Sequence, residues 1–201
     1  MAISKIEEWK HIFLDTSVII DFLLDPKRFD KNPDHQKRIE LTQKLFEYFE
    51  LNSTKEDRYV FYVSAITISE LTKKVNDLQI VNEIIQIFSC ADVTFVDYTK
   101  EIASQISKNI NNYLPNKTHI NQLLAQLEKQ LNDNTIINAR NWVSDDLKIV
   151  ASAKYLKKLD VVLTADKNTF IPIAELLELP VLNTAKLQLD LFDNINKETL
   201  Y

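Results

Sequence analysis

Two short stretches decide the reading of this chain: Ile12-Phe13-Leu14-Asp15-Thr16-Ser17 and Val161-Val162-Leu163-Thr164-Ala165-Asp166. The first apolar run stops at Asp15-Thr16-Ser17 and the second at Thr164-Ala165-Asp166. An apolar run of this length without alternation reads as a strand buried on both faces, the pattern of a parallel sheet covered by helices. In an open parallel α/β sheet the carboxyl ends of the strands form the ligand crevice. Asp15 and Asp166 therefore converge there if their strands are neighbours.

Working outward, further short apolar runs alternate with segments of helical period. Candidate strands fall at 11–14, 58–63, 93–96, 160–163 and 180–182. Candidate helices fall at 17–24, 36–51, 66–75, 80–88, 100–112, 119–132 and 145–158. That alternation predicts βαβ units in a single domain spanning 1–201. The interval between Val96 and Asp160 holds more helix than one crossover requires. Residues 115–141 are read as a helical insertion, with Leu123, Leu124, Leu127 and Leu131 at helical spacing and the bland role of extra packing preferred to a lid. The tail, 185–201, alternates apolar and polar at Leu187, Leu189 and Leu191 and is expected to pack back on its own domain.

Composition narrows the chemistry. Among 201 residues there is no glycine, which excludes dinucleotide-binding, Walker-type, nucleophile-elbow and EF-hand loops, all of which need it at fixed positions. Backbone positions of positive φ are expected to fall to Asn and Asp instead. A single cysteine, Cys90, allows no disulfide framework, and His11, His35 and His119 are spaced too widely for a metal-binding pair. No apolar run is long enough to span a bilayer, and the N-terminus lacks a signal-peptide pattern, so a cytoplasmic protein is expected. The net charge of −5 is the wrong sign for strong binding to a polynucleotide backbone. Local basic groups do occur, at Lys27-Arg28, Lys31, Lys37-Arg38, Lys73-Lys74 and Lys157-Lys158.

Two more acids are expected in the first turns of helices: Glu70 in Ser64-Ala-Ile-Thr-Ile-Ser-Glu-Leu, and Asp146 in Ser144-Asp-Asp-Leu-Lys-Ile. Each acid has a bland alternative. Asp15 can cap a helix, Thr67-Ile-Ser-Glu70 matches a capping box, and Asp166 can be a turn residue. Jointly, four junctions placing a carboxylate at one end of the sheet point to a hard-cation site for Mg²⁺ or Mn²⁺. Helix phase selects Asp146 over Asp145, because Asp146 continues the apolar stripe of Ile149, Val150 and Ala153.

These segments resemble the PIN-domain nucleases, including the VapC-like ribonuclease toxins of toxin–antitoxin pairs. Leu14-Asp-Thr-Ser-Val-Ile-Ile-Asp-Phe-Leu is similar to their opening motif, and Val63-Ser-Ala-Ile-Thr-Ile-Ser-Glu-Leu to the second. Asp146-Leu-Lys-Ile-Val-Ala-Ser-Ala is similar to the third, and Leu163-Thr-Ala-Asp-Lys-Asn-Thr-Phe to the fourth. The resemblance covers roughly 10–25, 58–75 and 144–182. It implies a three-layer α/β/α fold with a parallel sheet in order 3-2-1-4-5. It also implies an acidic cluster of Asp15, Glu70, Asp146 and Asp166 holding Mg²⁺ or Mn²⁺, with Thr16, Ser17 and Thr164 orienting the carboxylates. Two departures stand out: the chain is longer than the small toxins, and Asn168 stands where an acid is common.

The activity so implied is metal-assisted phosphodiester hydrolysis by an endoribonuclease. Lys73 and Lys74 follow Glu70 by one turn, so at least one of them is expected to reach a phosphate beside the metal. An RNA substrate, an antitoxin protein and a second copy of the chain stand as candidate partners. The rival reading is a non-catalytic PIN-like module that binds protein or RNA. A dehalogenase-type phosphatase is excluded because its second Asp is here Ser17, and a receiver domain because Ser64 follows the strand that should carry its phosphoacceptor.

Overall fold

The computed structural model describes residues 4–29, 31–54, 58–74, 93–104 and 139–187, with short pieces inside 81–88 and 122–130. Five strands, β1 (His11–Leu14), β2 (Val60–Ser64), β3 (Val93–Val96), β4 (Val161–Thr164) and β5 (Val181–Asn183), form one sheet. Its order is β3-β2-β1-β4-β5 and every pairing is parallel. This is the fold class and strand order expected from the sequence. The principal helices are α1 (Thr16–Leu23), α2 (Pro33–Asn52), α3 (Ala65–Lys74), α4 (Ala139–Tyr155) and α5 (Phe170–Leu176).

The alternation of side chains across the two central strands explains the layers. Ile12, Leu14, Val161 and Leu163 face one side, where they pack with Val18 and Ile19 of α1 and Leu41, Leu45 and Phe49 of α2. Phe13 and Val162 face the other, against Ile149, Val150 and Ala153 of α4 and Phe170 and Ile173 of α5. Both faces are covered, so these strands carry no polar alternation.

Helix starts differ from expectation in ways that matter for the site. Helix α3 begins at Ala65, and Ser64 Oγ accepts the Ile66 N–H at 3.3 Å. The capping box expected at Thr67–Glu70 therefore does not form, and Glu70 lies inside the helix. Helix α4 begins at Ala139 rather than at Asp145, so Asp146 also sits in a helix interior and not in a first turn. Helix α5 was not named from the sequence. Its Pro172 falls in the first turn, where the missing N–H has no intrahelical partner to lose.

Positive φ also departs from expectation. Among the described residues it falls to Glu178, at 54°, and not to Asn or Asp. Glu178 follows the last turn of α5, donating its N–H to Glu175 O at 2.9 Å while Leu179 donates to Ala174 O at 3.0 Å. That pair of bonds is the Schellman ending, and it fixes a left-handed residue at this position whatever its type. The buried Leu179 anchors the turn.

The expected insertion at 115–141 and the tail beyond Leu187 lie mostly outside the described residues. Among the described residues, no helix is long and apolar enough to cross a membrane.

Candidate active site

Because β1 and β4 are adjacent, with Leu14 opposite Leu163, the residues that follow them emerge side by side. Asp15 donates its own N–H to Leu163 O at 3.0 Å, continuing the ladder past the strand. Its side chain caps α1 by accepting from Ser17 N, so the bland capping role is real. The same oxygen does more. Asp15 Oδ2 accepts from Ser17 Oγ at 2.5 Å and from Thr164 Oγ1 at 2.8 Å.

Those two hydroxyls are relays. Ser17 Oγ accepts the Ala165 N–H at 2.8 Å, and Thr164 Oγ1 accepts the Asp166 N–H at 3.0 Å. Each hydroxyl thus receives a backbone proton from the turn after β4 and passes its own to Asp15. The turn carrying Asp166 is thereby registered against the carboxylate that ends β1. Thr16 behaves differently from the expectation that it orients an acid. Its hydroxyl bonds to Thr67 Oγ1 at 3.2 Å, because the first residue of α1 faces α3 rather than the sheet end.

Asp166 is both turn residue and site residue. Its Oδ1 accepts the N–H groups of Asn168 and Thr169 at 2.7 and 3.1 Å, and its Oδ2 contacts Thr169 Oγ1 at 2.5 Å. The same Thr169 hydroxyl is hydrogen-bonded to Asp146 Oδ2. Thr169 therefore stands between two acids drawn from different elements, a role not foreseen from the sequence.

Asp146 is buried on the inner face of α4, whereas Asp145 is partly exposed and bonds Lys148 Nζ at 2.9 Å. Burial holds the Asp146 carboxyl well above the usual carboxylate range. The charges of Asp15, Asp166 and Glu70 add to that effect, while the hydrogen bond from Thr169 opposes it. The Thr169 hydroxyl is the donor toward both carboxylates and shares its one proton between Asp146 and Asp166. Glu70, buried on α3, completes the electrostatic cluster. The side chains of Lys73 and Lys74 lie outside the described residues.

The four acids are thus brought together as interacting charges. Among the described residues, however, no three His, Cys, Asp or Glu side chains form a group ready to hold a metal ion. Ser17 and Thr164 engage Asp15, and Thr169 lies between Asp146 and Asp166. What fits a cation is the donor set, all hard oxygen, and the negative charge of Asp15, Asp166 and Glu70 that acts on Asp146.

No family model matches the chain, and no curated protein matches it. Among solved structures it is similar to VapBC2 from Rickettsia felis, crystallised with a DNA fragment from its promoter. The two share 15% identity over 86% of this chain and 98% of that one, with a TM-score of 0.41. A likeness that loose assigns neither family nor function.

Proposed function

We propose that the protein is a divalent-metal-dependent phosphodiesterase of the PIN type, acting as an endoribonuclease. The observation that carries the reading is the buried Asp146 carboxyl held above its usual range by burial and by the charges of Asp15, Asp166 and Glu70. Such a concentration of like charge is unfavourable unless it has a cationic use, and perturbed carboxyls in a cluster mark functional sites.

Asp15, Asp146 and Asp166 would hold Mg²⁺ or Mn²⁺, with Glu70 as a further ligand or as the group that positions the attacking water. When bound, the metal lowers the pKa of a water and neutralises charge on the phosphate and leaving oxygen. Ser17 and Thr164 keep Asp15 aimed, and Thr169 keeps Asp146 and Asp166 on either side of a single hydroxyl. The net charge of −5 suits brief, metal-dependent engagement of a strand better than its tight storage.

The test is cleavage of single-stranded RNA by purified protein in Mn²⁺, with EDTA and Asp146→Asn as controls. Cleavage that both controls abolish supports the reading; cleavage that survives Asp146→Asn sinks it. Growth arrest on expression, relieved by the same substitution, would extend the reading to a toxin with an antitoxin partner. One observation favours a second reading, a non-catalytic binding module: no three acids stand ready as ligands among the described residues. Calorimetric titration with Mn²⁺ separates the two, because a module without chemistry gives no saturable binding that Asp146→Asn removes.

A further inference from the structure

Arg38 belongs to the basic group that opens α2, yet it does not stand free in solvent. Its guanidinium pairs with Asp21 of α1: Nη2 donates to Oδ1 at 2.8 Å, and Nε stands 2.7 Å from Oδ2 as an ion-pair contact. The Asp21 side chain is 1% exposed, and His35 Nε2 approaches the same carboxylate at 3.7 Å. A buried ion pair adds little net stability over apolar residues of similar volume, so stability alone does not account for it. What the pair does is fix a guanidinium plane. A guanidinium has five N–H donors, Asp21 takes one of them in a hydrogen bond, and the Arg38 side chain remains 29% exposed.

The exposed part of Arg38 borders a groove of about 490 Å³. Asp34 and His35 of α2 line it as well. Ser17, Asp166 and the exposed Lys167 line the same groove. The groove therefore runs from the candidate metal site to a pre-ordered cationic fork.

We propose that this groove is a phosphate subsite for a single-stranded polynucleotide, in which Arg38 holds a backbone phosphate flanking the one at the carboxylates. The subsite rests on the phosphodiesterase reading for its substrate class. Arg38 binds the phosphate, and Asp21 is a positioning residue that orders the fork before substrate arrives. A planar fork matches two phosphate oxygens, and a side chain already held in place loses less freedom on binding.

The experiment measures binding of a short fluorescein-labelled single-stranded oligoribonucleotide to the full chain by anisotropy, in EDTA, across a salt series. The double variant Asp21→Leu/Arg38→Met replaces the pair with apolar residues, a change that buried pairs tolerate. It should bind about tenfold more weakly, as loss of one charged hydrogen-bonded contact predicts. Its log–log salt slope should fall by about one. Arg38→Lys keeps the charge and the fold but loses the fork, so it should bind several-fold more weakly with its slope kept. In a Mn²⁺ cleavage assay the double variant should raise KM and leave kcat near wild type. Wild-type affinity in a folded double variant, or in Arg38→Lys, overturns the subsite, as does a wild type that does not bind at low salt. If the binding differences hold but wild-type protein never cuts RNA, the subsite stands and the nuclease reading fails.

Discussion

Thr164 Oγ1 donates to Asp15 Oδ2 at 2.8 Å, joining the ends of two neighbouring strands that are 149 residues apart in the chain. Both residues are buried, and the Thr164 hydroxyl also receives the Asp166 N–H. Thr164→Val keeps the shape and removes both bonds. Unfolding in urea should show a loss of about 1–3 kcal/mol, the cost of leaving buried polar groups unsatisfied. Thr164→Ser, which restores the hydroxyl, should recover most of it. Equal losses for Val and Ser would mean that the methyl group, and not the relay, supports this junction.

Thr169 offers a sharper test because its hydroxyl favours the ionised form of Asp146 while burial and three acids oppose it. Thr169→Val removes the opposing influence. The Asp146 carboxyl should then titrate still higher than in the wild type, followed by NMR of the side-chain carboxyl carbon in metal-free protein. A downward shift would show that the two acids are not bridged as described. Mn²⁺-dependent cleavage should also fall, since Asp146 and Asp166 lose their common partner.

A third expectation comes from the end of α5. Glu178 takes a left-handed conformation that costs a residue with a Cβ about 1–2 kcal/mol. Glycine there would avoid the cost but add freedom to the unfolded chain, worth about 0.4–1 kcal/mol in the other direction. Glu178→Gly should therefore raise stability by between about 0 and about 1.6 kcal/mol, with no effect on cleavage. Thermal unfolding checks it; a lower melting temperature would show that the Glu178 side chain contributes a contact outweighing its backbone strain.

How far the sequence could be read follows from the range of each interaction. β1 and β3 have the bounds their apolar runs suggest, because burial on both faces leaves a continuous signal. β4 begins one residue later than read: Asp160 precedes it and accepts the N–H groups of Lys10 and His11 instead. Helix starts were less legible. Thr67-Ile-Ser-Glu70 has the composition of a capping box, but β2 ends at Ser64 and the helix starts immediately after it. Local motifs cannot say where a strand hands over to a helix. Asp146 was legible from helix phase, since its side follows from the apolar stripe alone. Thr169 was not, because it lies 23 residues from Asp146 and its role exists only once α4 and the turn after β4 are packed together. The Asp21–Arg38 pair escaped for the same reason, as a hydrophobic stripe does not announce one buried charge.

The last prediction concerns the proton on Asp146. In the unfolded chain this carboxyl ionises near the ordinary value of about 3.9. In the folded protein burial and the charges of Asp15, Asp166 and Glu70 hold the proton to much higher pH. Between those two values the folded state binds more protons than the unfolded state, so stability must fall as pH rises. This contribution is complete below the unfolded value, is lost as pH climbs through the folded value, and changes no further above it. A tenfold difference in proton affinity is worth about 1.4 kcal/mol. Asp146→Asn fixes the neutral form, so metal-free protein carrying it should lose that downward slope and be at least as stable as wild type at neutral pH. The metal response should move the other way. Stabilisation by Mn²⁺ grows as RT ln(1 + [L]/Kd), and removing a charged ligand raises Kd, so the substituted protein should gain less from the same Mn²⁺ concentration. Urea unfolding of both proteins across pH, with EDTA and with Mn²⁺, measures all of this together. A uniform loss of stability at every pH, with an unchanged response to Mn²⁺, would return Asp146 to the status of a buried hydrogen-bonding residue, and the metal site would go with it.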